Sequence, residues 1–227
     1  FILCSPHNPV GRVWKKWELE KIGDICLKHN VKIVSDEIHS DFVYPENKHI
    51  VFSSLDEKYQ NITITCTAPT KTFNLAGLIG SYHIIYNEAL RDRVEARGSK
   101  SHYNEMNVLS MHALIGAYKQ EGYEWVDELC QVLTENVRFA CDYIAAHFKG
   151  VTVSKPQGTY MLFLDCTQWC EDHGQSMDEL LQAGWDVGVG WQDGRPFHGE
   201  HHIRMNLALP KCRVTEAFER LDRYVFG

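Results

Sequence analysis

The stretch VKIVSDEIH, residues 31–39, decides the reading of the fold. A short apolar run from Val31 to Ser35 ends in Asp36-Glu37. A buried parallel strand has this form, and it delivers polar groups to one edge of its sheet. Phe1 to Ser5 repeats the pattern and breaks into a turn-rich segment, Pro6 to Gly11. Ile62 to Cys66 repeats it again and breaks into Ala68-Pro69-Thr70-Lys71, and His83 to Tyr86 reads as a fourth run. Between the first two runs, Trp14, Leu19, Ile22 and Cys26 recur at near-helical spacing, which predicts an amphipathic helix ending near Asn30. Strands that alternate with helices predict an α/β architecture on a mostly parallel sheet.

In open α/β sheets, ligands bind beyond the carboxyl ends of the strands. Here the successive strand ends present Asn8, then Asp36 with His39, then Lys71. Each has a plain alternative on its own. Asn8 before Pro9 can start a turn, Asp36 can cap a helix, and Lys71 can be a surface amine. An amide, an acid and an amine converging on one edge make a reactive site the better reading.

The rest of the chain changes character. Residues 107–118 and 123–147 are long helical patterns, and Leu129, Val132, Leu133, Val137, Ala140 and Ile144 are expected to share one face. After Gly150 come short strands at 151–154, 160–164 and 202–206, with helices at 177–183 and 214–224. This grouping predicts a smaller α+β domain. The expected division is 1–120 and 121–227.

Composition narrows the function classes. The 227 residues carry 23 Lys and Arg against 30 Asp and Glu, a formal net charge of −7, with 44% apolar and 23% charged residues. That is ordinary globular composition, so disordered and fibrous classes are excluded. An acidic balance without a Lys or Arg run argues against nucleic acid or an anionic membrane as partner. No stretch approaches the roughly 18 to 20 apolar residues that span a bilayer. The eight cysteines include no Cys-x-x-Cys and read as reduced core thiols of a cytoplasmic protein. No metal is expected at His198, Glu200, His201 and His202, because neighbouring strand residues face opposite sides. The chain opens on Phe1 with a strand already under way, so it is expected to be a piece of something longer.

The segments SPHNPVGR (5–12), VSDEIH (34–39), TAPTKTFNLAGL (67–78) and HIRMN (202–206) resemble fold-type I pyridoxal-phosphate enzymes. More narrowly, they resemble the cystathionine β-lyase and C–S lyase branch of the class I/II aminotransferase superfamily, in the right order over nearly the whole chain. The resemblance implies a pyridoxal 5′-phosphate cofactor, a small amino-acid substrate and a homodimer. It also implies roles. Lys71 matches the Schiff-base lysine, Asp36 the partner of the pyridine nitrogen, and Asn8 the donor to the phenolic oxygen, with His39 beside that oxygen. Arg204 matches the grip on the substrate α-carboxylate, Thr70 and more weakly Thr67 are phosphate candidates, and Trp191 falls where relatives line the substrate mouth. The chemistry needs these types: an amine that adds to an aldehyde and takes a Cα proton, a carboxylate that keeps a ring nitrogen protonated, and a planar fork for a carboxylate.

Residues 1–120 then correspond to the second half of the large cofactor domain, and 121–227 to a long helix and the small C-terminal domain. Two departures stand out. Ile79 occupies the place where many aminotransferases carry a phosphate-binding arginine, which favours the lyase branch. The phosphate-cradling turn and the ring-stacking aromatic are absent from this chain, which resembles the later two-thirds or so of such an enzyme. By itself it is expected to bind the cofactor poorly and turn over little. The rivals are an aminotransferase of the same fold and a non-catalytic effector domain of a transcription regulator, although no basic recognition helix is present.

Overall fold

The structure, a computed structural model, describes residues 1–102 and 105–227. The chain divides into two units. One comprises Phe1–Pro6 and Val13–Glu128, the other His7–Arg12 and Leu129–Gly227.

In the first unit the order is β1 (Ile2–Cys4), α1 (Lys16–Lys28), β2 (Ile33–Asp36), α2 (Glu57–Gln60), β3 (Thr63–Thr67), α3 (Pro69–Thr72), β4 (Tyr82–Ile84), α4 (Glu88–Ser99) and α5 (Val108–Ala117). The sheet runs β1-β2-β3-β4. The first three strands are parallel and β4 is antiparallel to β3, so the sheet is mostly parallel. Leu3, Leu19, Ile33, Phe52, Tyr59 and Ile62 form a buried cluster, with Trp14 and Ile22 packed against it. Helix α1 thus turns its expected face onto the strands, each large apolar side chain contributing about 1.5–3 kcal/mol. No apolar stripe marks helix α4 in the sequence, and none of its residues is buried.

The long helix α6 (Gln120–His147) crosses the division between Glu128 and Leu129, eight residues beyond the expected boundary. Its first turns pack with the first unit, where Trp125 stacks on Phe73 at 6.4 Å. From there on it buries Leu133, Val137, Ala140 and Ile144. Val132, expected on that face, is instead 43% exposed.

The second unit continues with β5 (Thr152–Val153), β6 (Met161–Asp165), α7 (Thr167–His173), α8 (Met177–Asp186), β7 (Gln192–Asp193), β8 (His202–Asn206) and α9 (Lys211–Leu221). Its sheet, β5-β6-β8-β7, is antiparallel throughout. The buried Asn136 on α6 donates from Nδ2 to the carbonyls of Leu207 and Leu209, at 3.0 and 2.8 Å, and so anchors the exit of β8. Helix α8 opens on a capping box, Ser176 with Glu179.

Trp191 is a packing residue rather than the lining of a mouth. It is buried, its indole N–H donates to the Leu181 carbonyl at 3.0 Å, and its ring lies on Gly184. A Cβ at Gly184 would stand 2.1 Å from that ring. Gly184→Ala should therefore destabilise the fold by about 1–3 kcal/mol, read as a lowered denaturation midpoint. An unchanged midpoint would mean that the ring is free to move.

No helix among the described residues is long and apolar enough to cross a membrane.

Candidate active site

Strands β2 and β3 are parallel neighbours, with Asp36 opposite Cys66. Their carboxyl ends therefore open on the same edge, which brings Asp36, His39, Thr70 and Lys71 to it. One Asp36 carboxylate oxygen accepts from the Ile38 amide at 3.2 Å, and the other accepts nothing among the described residues. Lys71 lies in α3, whose first residue is Pro69, a position where the missing N–H costs nothing. Its side chain is half-buried, and its amine makes no hydrogen bond or ion pair among the described residues. The next residue, Thr72, is buried and donates its hydroxyl to Asp41 at 2.6 Å, tying the lysine turn to the turn after β2. Thr70 is half-buried, and its carbonyl accepts from the Leu75 amide at 2.9 Å. His39 is only 1% exposed and packs near Phe42, with ring centroids 6.2 Å apart.

Glu37, which in the sequence marks only the polar end of a strand, is the centre of a buried network. Its buried carboxylate accepts from the Ser35 hydroxyl at 2.8 Å and the Phe52 amide at 3.0 Å, and lies 2.8 Å from Nε2 of His49. These bonds fix the strand end that carries Asp36. Burial pushes the neighbouring Cys66 thiol up, and the Asp36 and Glu37 charges add to the shift.

In the second unit, the His7–Arg12 loop is held by Gly11. Its carbonyl accepts from the Gln157 and Gly158 amides at 2.7 and 2.9 Å. Its φ of +74° and the 2.4 Å from a built Cβ to Pro156 both require glycine there. The loop presents Asn8, whose Oδ1 accepts from Arg204 Nη1 at 3.4 Å. Arg204 stands on β8 opposite Phe163 of β6. Arg204 is half-buried, and its guanidinium pairs with no carboxylate among the described residues. Burial raises the nearby Tyr160 phenol, and the Arg204 charge partly opposes that rise. Burial lowers the His7 imidazole, and the Arg12 charge adds to the effect.

The first unit thus carries, on one sheet edge, an amine and a carboxylate oxygen without partners among the described residues, and the second unit carries an arginine that pairs with no carboxylate among them. The chain belongs to the aminotransferase class I and II family, whose model matches residues 1–221. It is 33% identical over 224 residues to the cystathionine beta-lyase PatB of Bacillus subtilis strain 168, covering 97% of this chain and 57% of that protein. Among solved structures, it is similar to a PLP-bound protein of Clostridium difficile 630 provisionally named an aminotransferase. That match has 41% identity and a TM-score of 0.89, and covers 98% of this chain and 57% of the other. It is also similar to cystalysin of Treponema denticola, whose structure contains pyridoxal 5′-phosphate. There the identity is 36% and the TM-score 0.88, with 99% and 56% of the two chains covered. The chain thus spans somewhat more than half the length of the relatives it matches.

Proposed function

We propose that this chain serves a pyridoxal-phosphate-dependent carbon–sulfur β-lyase acting on a β-thio amino acid such as cystathionine. The observation that carries the reading is the amine of the half-buried Lys71, unpartnered among the described residues, on the same sheet edge as an open Asp36 oxygen. The residues fit the cofactor. An unpaired amine suits an aldehyde, and an open carboxylate oxygen suits a protonated ring nitrogen. Asn8, with its oxygen turned to Arg204, keeps its amide N–H groups to donate to an anionic oxygen. Lys71 would hold the cofactor covalently, Asp36 its ring nitrogen, Asn8 and His39 its phenolic oxygen, and Thr70 its phosphate.

When bound, the cofactor supplies an electron sink for the negative charge left at the substrate Cα. Arg204 would grip the α-carboxylate through its planar fork. Lys71 Nζ would then take the Cα proton. The thiolate then leaves from Cβ, and the three-carbon remainder hydrolyses to pyruvate and ammonia. Supporting the lyase over a transaminase is the similarity to PatB, together with Ile79, which is 85% exposed where many aminotransferases have an arginine. Against L-cystathionine without an added 2-oxo acid, pyruvate and free thiol should appear; strict dependence on a 2-oxo acid would favour the transaminase.

Arg204→Ala should raise KM for the amino acid by about 10- to 150-fold, the loss of a charge-assisted carboxylate grip, with a smaller change in kcat. An unchanged KM would remove Arg204 from the site. A homodimer belongs to the same reading, supported by Val108, Leu109, Met111 and Ile115 of α5, which expose their apolar side chains. So does a cytoplasmic setting, supported by eight cysteines with no disulfide.

A further inference from the structure

Arg204 is built into an aromatic setting that the substrate-binding role alone does not explain. Its guanidinium carbon lies 5.3 Å from the centroid of the Phe197 ring. Phe197 ends a short 3-10 turn, Arg195–Phe197, closed by His198 in the left-handed conformation. Its ring meets Phe163 edge-on, with centroids 6.5 Å apart at 86°. Phe163 in turn stacks on His202, 4.6 Å away at 30°. Phe163 is also the residue directly opposite Arg204 across β6 and β8. The shelf is therefore braced from the sheet beneath it.

We propose that Phe197 is a positioning residue that sets the plane of the Arg204 guanidinium for an incoming carboxylate. The ring face attracts the cation. Asn8 Oδ1 takes one N–H of Nη1, as described above. With one face on the ring and one edge on the amide, the fork keeps parallel N–H donors for a bidentate carboxylate. A free arginine side chain would have to lose its rotamer freedom on binding, and the shelf removes that cost beforehand. The substrate class is an α-amino acid, and the inference rests on the proposed role of Arg204.

The test compares Phe197→Leu and Phe197→Trp in the protein that carries this chain, each alone and with Arg204→Ala. The first readout is the rate at which phenylglyoxal modifies Arg204, located by peptide mass, which does not depend on turnover. The second is KM against kcat with L-cystathionine. Phe197→Leu should speed modification and raise KM by about 2- to 30-fold, the range of a cation–π contact, with the loss carried by KM. Phe197→Trp should keep both near wild type, because a larger ring face still holds the cation. In the Arg204→Ala background, Phe197→Leu should add nothing to KM. Wild-type modification rate in Phe197→Leu, or an equal KM increase in the Arg204→Ala background, would overturn the proposal. Failure of the proposed function would show differently: no turnover of L-cystathionine by the wild-type protein, with the modification rates still answering the question of the shelf.

Discussion

Lys71→Ala should reduce turnover by about 10²- to 10⁴-fold, the range a positioned proton-transfer group contributes, while leaving the fold intact. The physical basis is the contrast between its chemistry and its packing. The amine is unpartnered among the described residues, so its removal deletes no internal bond. The loss of stability should stay within about 0.5 kcal/mol, as for substitutions that touch no packed or bonded feature. Any visible absorbance that pyridoxal 5′-phosphate would give when held by Lys71 should be missing from the variant as well. A variant that unfolds, or one that keeps its activity, would contradict this role. The distinction matters because Thr72, one residue on, is buried and bonded to Asp41, so a structural change there would imitate a catalytic one.

Glu37→Ala should do the opposite and act first on stability. The carboxylate is 2% exposed and accepts from Ser35 and Phe52 while facing His49. Truncation leaves those groups buried without an acceptor, at a cost of about 1–3 kcal/mol for each one left unpaired. Glu37→Gln keeps an oxygen for the hydroxyl and the amide, so its cost should be clearly smaller. Denaturant midpoints check both. Because the same bonds fix the strand end before Asp36, weakened cofactor affinity should accompany the loss in Glu37→Ala. Equal midpoints for the wild type and Glu37→Ala would show that the network contributes little.

The strands of the first unit were legible because each combines a short apolar run with an abrupt polar end. β1, β2 and β3 lie within a residue or two of the sequence reading. Helix α1 and the buried half of α6 were legible for a related reason, since each presents an apolar stripe to a core. Helix α4 lacks such a stripe, and only its Asn87 cap, which accepts from the Leu90 amide at 2.9 Å, signals its start. The antiparallel direction of β4 is set by pairing with β3 and leaves no trace in composition. Asn8, Asp36 and Lys71, proposed for the site, stand out in the sequence because they follow the ends of strands, whereas Arg204 lies within β8 and is named only by the resemblance. The parts played by Glu37 and Phe197 are not legible there, because they depend on contacts with His49, Phe52, Arg204 and Phe163 that only the folded chain makes. Trp191 misled for the same reason: its position before β8 suggested a mouth, whereas Gly184 leaves room for it in the core.

The most direct test of the account is where the cofactor attaches. The protein that carries this chain would be incubated with pyridoxal 5′-phosphate, reduced with borohydride, digested and mapped by mass. One dominant adduct is expected, on the peptide containing Lys71. Label spread evenly over other lysines, with Lys71 unmodified, would contradict it.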